Sequence, residues 1–444
     1  SCEFTNFIDI YYMPNSKSVT TKYKIMKLKI KRSVLQGEIK IPASKSHTIR
    51  AIAIATMAEG RSILRKPLVS ADTLSCVEAA KAFGAAVFIG DDYIITGIGK
   101  KIKKSCAINV GNSGTTLRLF TSLAALADKE IYFDGDNSIR QRPMEPLFNS
   151  LRQLGASIIT DTEKCPFIIK GPLMGGKTSI KAVSSQFLSA LLMACPLASD
   201  DTEIIVEQLN EHPYVEITLD WLKKQKITFE QKNMDWFKIK GRQHYRPFDM
   251  TIPADFSTAT FALVGAVVTG GDVMIKGLDF SDSQGDKLIF SHLEKMGAEI
   301  THTDDVVFVR AINGLQGIDI DMNATPDALP AMAVVGCFAQ GTTRLLNVPQ
   351  ARLKECDRIK ACAIELSKMG AKIEELPDGL VIHQSNLKGS HVHGWNDHRM
   401  VMALAIAGMF ANGDTIVDTA EATRVTYPEF VKDFSLLGAE IQEL

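Results

Sequence analysis

The sequence predicts a mixed α/β protein assembled from six copies of one unit. Two observations predict it. Segments of the form apolar-Gly-Ala, each lying between a helical stretch and a strand-like one, recur as AFGAAVFI, QLGASII, KMGAEIT, KMGAKIE and LLGAEIQ. A second series of long apolar helical stretches ends in AEG, ADK, ASD, VTG, AQG and ANG, and interleaves with the first at the same spacing of about seventy residues.

The elements follow from these series in order. The first series carries Gly84, Gly155, Gly297, Gly370 and Gly438, and a glycine just past a helix is the usual left-handed stop. The interval from Gly84 to Gly155 is 71 residues and that from Gly155 to Gly297 is 142, twice 71, so a sixth copy is expected near residue 226, where KKQKITFE carries Lys226 in the glycine's place. Turns of the second series fall at Gly60, Lys129, Asp200, Gly270, Gly341 and Gly413. Each unit then holds two helices and several strands. Six units can close into one ring or form two clusters of three, and the repeat does not choose between them. A repeat scaffold whose faces only pack is the plainest reading of the periodicity alone.

Composition narrows the function classes. A chain of 444 residues implies about two or three domains. With 45% apolar and 23% charged residues it is an ordinary globular composition rather than a disordered one. Lys and Arg number 50 against 51 Asp and Glu, a balance that excludes a general nucleic-acid binder while leaving room for a local basic site. No uncharged apolar run has the length of a membrane span. The eight cysteines show no C-x-x-C pair and no zinc-like spacing with His, so reduced, mostly buried thiols and a cytoplasmic location are expected. Residues 1–25 lack the order of a signal peptide. They are read as an extension ahead of an expected native start at Met26, outside the functional argument.

The chemistry-bearing residues gather where the apolar helices open. These openings read SKSHTIR (44–50), NSGTTLR (112–118), SSQFLS (184–189), ADFSTAT (254–260), TPDALP (325–330) and NDHRM (396–400). Each alone is a set of ordinary caps. Equivalent positions of a repeat tend to face one side, however, and six helix N-termini on one side would form an anion site from backbone N–H groups and dipoles. Cations add to it: Lys45, Arg50, Arg118, Arg142 and Arg399 lie at or near the openings. Lys354 and Arg358, in QARLKECDR (350–358), are expected on the first turn of a further helix, sharing one face at i, i+4. Arginine suits planar carboxylate and phosphate groups because its donors form a fork. The set points to one or two small ligands with several negative charges. Asp327 and Glu355 are the carboxylates placed for proton transfer; a carboxylate beside cations has a lowered pKa and favours the role of a base. Asp357 and Asp397 precede arginines and are expected to orient them. No Ser-His-Asp order, P-loop or dinucleotide fingerprint occurs. GNSGTT (111–116) would let a ligand approach the backbone closely.

Together, PASKSHTIRA, GNSGTTLR, RQRPMEPL, SSQFLSALLMACP, TPDALPAMAV, RLKECDRI and NDHRMVMALAIAG, spanning 42–408, resemble the EPSP synthase (3-phosphoshikimate 1-carboxyvinyltransferase) family of enolpyruvyltransferases. The resemblance implies a two-domain inside-out α/β barrel: six βαβαββ-type units, three per domain, with a cleft between the domains. Chain crossings near 43 and 253 would make 26–43 plus 254–444 the first domain and 44–253 the second. The implied reaction moves the enolpyruvyl group of phosphoenolpyruvate to the 5-hydroxyl of shikimate 3-phosphate by addition then elimination, in a protein expected to be a monomer that needs no metal or organic cofactor.

Carried over by motif position, Lys45 would contact both substrates, Ser46 and Arg50 the shikimate carboxylate, and Ser184, Ser185 and Gln186 the shikimate phosphate. Gly114, Arg142, Arg358 and Arg399 would bind phosphoenolpyruvate, with Gln186 nearby. Asp327 would accept the hydroxyl proton beside Lys354, Gln350 would hold a polar family contact, and Glu355 would protonate the methylene carbon and later help remove a proton.

Two positions depart from the family pattern. Glu211, three residues before Tyr214, stands where Ser is common, and Val425 stands where Lys is common, with Arg424 next to it as a possible substitute. Within the same fold, UDP-N-acetylglucosamine is the alternative acceptor; Asn137 in the place of that family's loop cysteine, and the S-S-Q and K-E-x-D-R motifs, favour the shikimate enzyme. A non-catalytic anion-binding paralogue is the alternative from another class, supported only by Glu211 and Val425.

Overall fold

The computed structural model describes residues 26–310 and 314–444; the extension assigned to 1–25 lies outside the described residues. Six four-stranded sheets make up its β-structure, and all six share one order. A first strand runs parallel to a second, the second pairs antiparallel with a third, and the third pairs antiparallel with the fourth, as a hairpin in five of the six sheets. Gly176–Ala182, for instance, runs parallel to Thr202–Leu209, which pairs with Trp236–Ile239 and through it with Phe229–Lys232. A parallel pair needs a crossover between its strands; one helix supplies it in four of the six sheets, while Gly37–Lys40 with Asp272–Lys276, and Glu59–Arg65 with Asp249–Thr251, are joined through several intervening elements.

Among the described residues twelve α-helices alternate between two kinds. Helices α1 (Lys45–Met57), α3 (Gly114–Ala124), α5 (Ser185–Ala194), α7 (Phe256–Thr269), α9 (Leu329–Phe338) and α11 (His398–Phe410) are apolar nearly all round and almost wholly buried, as a helix without a polar face must be. Helices α2 (Ala71–Phe83), α4 (Glu145–Gln153), α6 (His212–Lys224), α8 (Leu288–Met296), α10 (Arg358–Lys368) and α12 (Phe430–Leu436) keep one face exposed. The first kind lies inside, and the sheets and the second kind cover it. Among the inner helices α3 packs on α5 and α1, while α7, α9 and α11 pack on one another.

The repeat glycines end the outer helices as the sequence requires, with φ between 92° and 108° at Gly84, Gly155, Gly297, Gly370 and Gly438. Lys226, in the sixth copy, takes the same left-handed region with φ 58°. The fold imposes the stop even where the residue disfavours it.

Buried apolar side chains fall into two clusters. One runs from Leu28 to Ile41 and from Phe256 to Ala439, the other from Ile49 to Ile252. The chain passes between them twice, side by side: Ala43 pairs with Ala254 in an isolated antiparallel bridge, Ser44 N–H donates to Pro253 O at 2.7 Å and Asp255 N–H to Pro42 O at 3.0 Å. The strand Leu28–Ile30 completes the sheet of the last unit, between Thr415–Val417 and Ile441–Glu443. The seven described cysteines are free and five are buried. No described helix is long and apolar enough to cross a membrane.

Candidate active site

The inner-helix openings converge between the two clusters. Five have a side-chain cap: Ser44 accepts from His47 N–H, Ser113 from Thr116, Ser184 from Gln186, Asp255 from Thr258 and Asp397 from Arg399. The sixth, at TPDALP, begins instead with a 3-10 turn, Pro326–Ala328, and Thr325 makes no cap bond. Two adjoining hollows lie among these ends. Lys45, Thr115, Gln186, Glu211, Asp327 and Lys354 line both. Gly114, Arg118, Arg142, Ser184, Gln350 and Glu355 belong to the larger; Ser46, Arg50, Ser185 and Tyr214 belong to the smaller.

On the side of residues 44–253 the cations face mostly neutral partners. Arg50 donates from Nε to Thr218 Oγ1 at 2.8 Å, from Nη1 to Ser46 O at 3.1 Å and from Nη2 to Tyr214 O at 2.9 Å. Burial lowers its pKa to about 10. Arg118 reaches Gln186 Oε1 at 3.0 Å, and burial together with neighbouring Arg142 lowers it to about 9. Arg142 donates to Asn112 Oδ1 at 3.0 Å and Ser138 Oγ at 3.1 Å. A Cβ at position 114 would sit 2.3 Å from Arg118 Nη1 and 2.7 Å from Arg142 Nη1, so only glycine lets both guanidinium groups come in over the end of α3. Lys45 Nζ lies 3.3 Å from Asp72, whose carboxyl is raised by burial.

The opposite side is a lattice of opposed charges. Arg358, 1% exposed, donates from Nε to Asp397 Oδ2 at 2.8 Å, from Nη1 to Asp327 Oδ1 at 2.7 Å and from Nη2 to Glu355 Oε2 at 2.7 Å. Arg399 donates to Ser257 O at 3.1 Å and lies 3.7 Å from Asp327. Burial works against the charge on Asp327, but Lys354, Arg358 and Arg399 outweigh it and hold the carboxyl well below its ordinary range. Glu355 is likewise opposed by burial and held well below by Arg358 and Arg142. Burial disfavours the charge on Lys354, which Glu211 and Asp327 restore and raise. These carboxylates are ionised bases at neutral pH. His398 is kept neutral, first by burial and then by neighbouring Arg399.

Contacts between the two sides bind the site together. Lys354 Nζ pairs with Glu211 and lies 3.6 Å from Asp327. Tyr214 Oη donates to Asp286 Oδ2 at 2.9 Å and lies 3.5 Å from Asp327 Oδ2. Arg142 lies 3.8 Å from Glu355, and Ser138 Oγ donates to Glu355 O at 3.1 Å.

Each of the fourteen residues singled out as a site candidate in the sequence lines one of the hollows or, for Arg358 and Arg399, binds a lining carboxylate directly. Two local expectations are corrected. Asp357 does not orient Arg358: it caps Lys360 N–H and pairs with Arg352 at 2.7 Å, and it is Asp327, Glu355 and Asp397 that hold Arg358. Lys354 and Arg358 do not share a helix face: a 3-10 turn ends at Leu353, Lys354 is extended, and α10 begins at Arg358 behind its N-cap Asp357. Lys354 thereby points across to Glu211 rather than along the helix. Arg424 is exposed and lines neither hollow. Sequence reasoning passed over Asp72, Tyr214 and Asp286 as site residues. Tyr214 was visible only as part of a P-Y step, and Asp72 opens an outer helix, a series whose N-termini carry no obvious motif.

The model of the EPSP synthase (3-phosphoshikimate 1-carboxyvinyltransferase) family matches residues 30–434. The chain belongs to this family. Relatives named 3-phosphoshikimate 1-carboxyvinyltransferase include one from Acetivibrio thermocellus, 51% identical over 94% of this chain and 99% of the relative, and one from Methanocaldococcus jannaschii, 41% identical over 92% and 97%. A solved EPSP synthase from Acinetobacter baumannii shares the fold, with a TM-score of 0.80 over 94% of this chain and 100% of that one at 24% identity. The architecture is thus the family's inside-out α/β barrel of six units. Among the described residues no group of three or more His, Cys, Asp or Glu could hold a metal ion.

Proposed function

We propose that the two hollows divide the substrates of enolpyruvyl transfer, the smaller taking shikimate 3-phosphate and the larger phosphoenolpyruvate, with Lys45, Gln186 and Asp327 common to both. The activity is that of a 3-phosphoshikimate 1-carboxyvinyltransferase, a transferase of aromatic amino acid biosynthesis. The observation that carries the division is the pair of adjoining hollows sharing one ionised carboxylate, Asp327.

In this reading Arg50 and Ser46 hold the acceptor's carboxylate, and Ser185, Gln186 and Lys354 its phosphate, with Ser184 reaching it from the adjoining wall of the larger hollow. Gly114, Arg142, Arg358 and Arg399 surround the phosphoenolpyruvate anion, and Gln350 sets the wall of the hollow. Asp327 takes the proton of the 5-hydroxyl as the oxygen attacks the enol carbon, and Glu355 delivers a proton to the methylene carbon. Glu355 then removes a proton from the resulting methyl as the C–O bond to phosphate breaks. Substrate anions supply Glu355 with its proton indirectly: by occupying Arg142 and Arg358 they weaken the cations that keep it ionised. The two core clusters support a division into two domains, 26–43 with 254–444 and 44–253, whose closure would exclude water from the reacting groups.

The test is phosphate release from phosphoenolpyruvate, with shikimate 3-phosphate or UDP-N-acetylglucosamine as acceptor. Turnover with the first alone is expected; turnover with the second alone would overturn the reading.

A further inference from the structure

Glu211 holds the place of a bound anion. It is 1% exposed, in the left-handed region at φ 58°, just before α6. Its Oε2 accepts from Ser185 Oγ at 2.8 Å and Ser185 N–H at 3.3 Å, and its Oε1 pairs with Lys354 Nζ. Its own backbone N–H donates to Asn323 Oδ1 at 3.2 Å, which fixes it from the other side of the cleft. A helix N-terminal N–H, a hydroxyl and an ammonium group are the donor set that an oxyanion recruits. Here the oxyanion belongs to the protein.

We propose that Glu211 is a built-in rival of the acceptor's phosphate, so that this chain grips its acceptor through the carboxylate and hydroxyl groups and gains little from the phosphate. The inference rests on the assignment of Ser185 and Lys354 to that phosphate. A phosphate arriving at these donors either displaces the carboxylate, losing its three contacts, or lies against it as a like charge, and both outcomes subtract from affinity. An acceptor with a free 3-hydroxyl meets no such conflict, because a hydroxyl can donate to the carboxylate. Asp327 adds to the effect, since it shares Lys354 at 3.6 Å.

Calorimetry of shikimate 3-phosphate and of shikimate, on the wild-type full chain and on Glu211→Gln and Glu211→Ser, tests this. In the wild type the phosphate is expected to improve binding by less than about tenfold, and each variant should widen that advantage at least tenfold by tightening shikimate 3-phosphate while not tightening shikimate. A wild-type advantage above tenfold overturns the proposal without any variant, which covers the case that the substitutions fail to fold. So does an unchanged ratio in variants that fold. Failure of the wild type to bind either acceptor would instead overturn the subsite assignment beneath it.

Discussion

The same unit has been given two chemistries in the two halves of the molecule. In residues 44–253 the inner helices open on serine, at Ser44, Ser113 and Ser184; in the other half two of three open on aspartate, at Asp255 and Asp397. Both residues satisfy orphan N–H groups equally well. They differ in what they leave behind. A serine cap is neutral, so the field of the helix end and of Arg50, Arg118 and Arg142 stays available to a ligand. An aspartate cap fills that field: Asp397 caps α11 and also ties down Arg358. One half is a cradle for anions and the other a self-neutralised set of acids and bases, and catalysis needs the two face to face.

Asp327→Asn strikes that division hardest. It removes the proposed base but keeps the size of the side chain, so kcat should fall about 10²- to 10⁴-fold, while calorimetry still detects shikimate 3-phosphate. A near-normal kcat would place the base elsewhere and dissolve the contrast between the halves.

A second substitution tests the boundary between them. Burial and neighbouring Asp327 push the Asp286 carboxyl up to about 7 from an ordinary 3.8, and Tyr214 from the opposite half donates to it. An acid raised in this way keeps its proton in the folded state after the unfolded chain has lost its own. Its contribution to stability is therefore full below about pH 4 and is lost as the pH rises to about 7. Asp286→Asn should gain on the wild type by roughly 2–4 kcal/mol across that window and no further above it, as read by denaturant unfolding at several pH values. A gap that does not vary with pH would show Asp286 to be ionised throughout.

The smallest effect probes the repeat. Lys226 is the one stop of six that is not glycine, and it adopts φ 58°. Lys226→Gly should stabilise the 44–253 half by about 0.5–1 kcal/mol; a loss of stability would mean that the lysine side chain contributes packing that its place in the repeat does not suggest.

Much of this was legible in the sequence because it is local. A left-handed stop selects glycine at Gly155 or Gly370, a wholly buried helix selects an unbroken apolar run, and an N-cap selects Ser or Asp, so units, helices and openings could be read directly. The cations at Lys45, Arg142 and Arg399 could be grouped because the repeat puts equivalent positions on one side. What could not be read is how charges pair across the cleft. Glu211 meets Lys354 at a sequence separation of 143 residues, and Tyr214 meets Asp286 at one of 72; no local rule records such distances. Lys354 was misplaced for a related reason: i, i+4 spacing implies a shared face only within a helix, and the helix begins four residues later, at Arg358.

The strand Leu28–Ile30 has a final consequence, for biosynthesis. Its partners, Thr415–Val417 and Ile441–Glu443, are synthesised long after it. Residues 44–253, by contrast, are contiguous and can be complete while the remainder is still being translated. Their two ends emerge as the paired segments around Ala43 and Ala254. The anion cradle can therefore exist on the nascent chain before its acids and bases have been made, while Leu28–Ile30 waits for strand partners made after both.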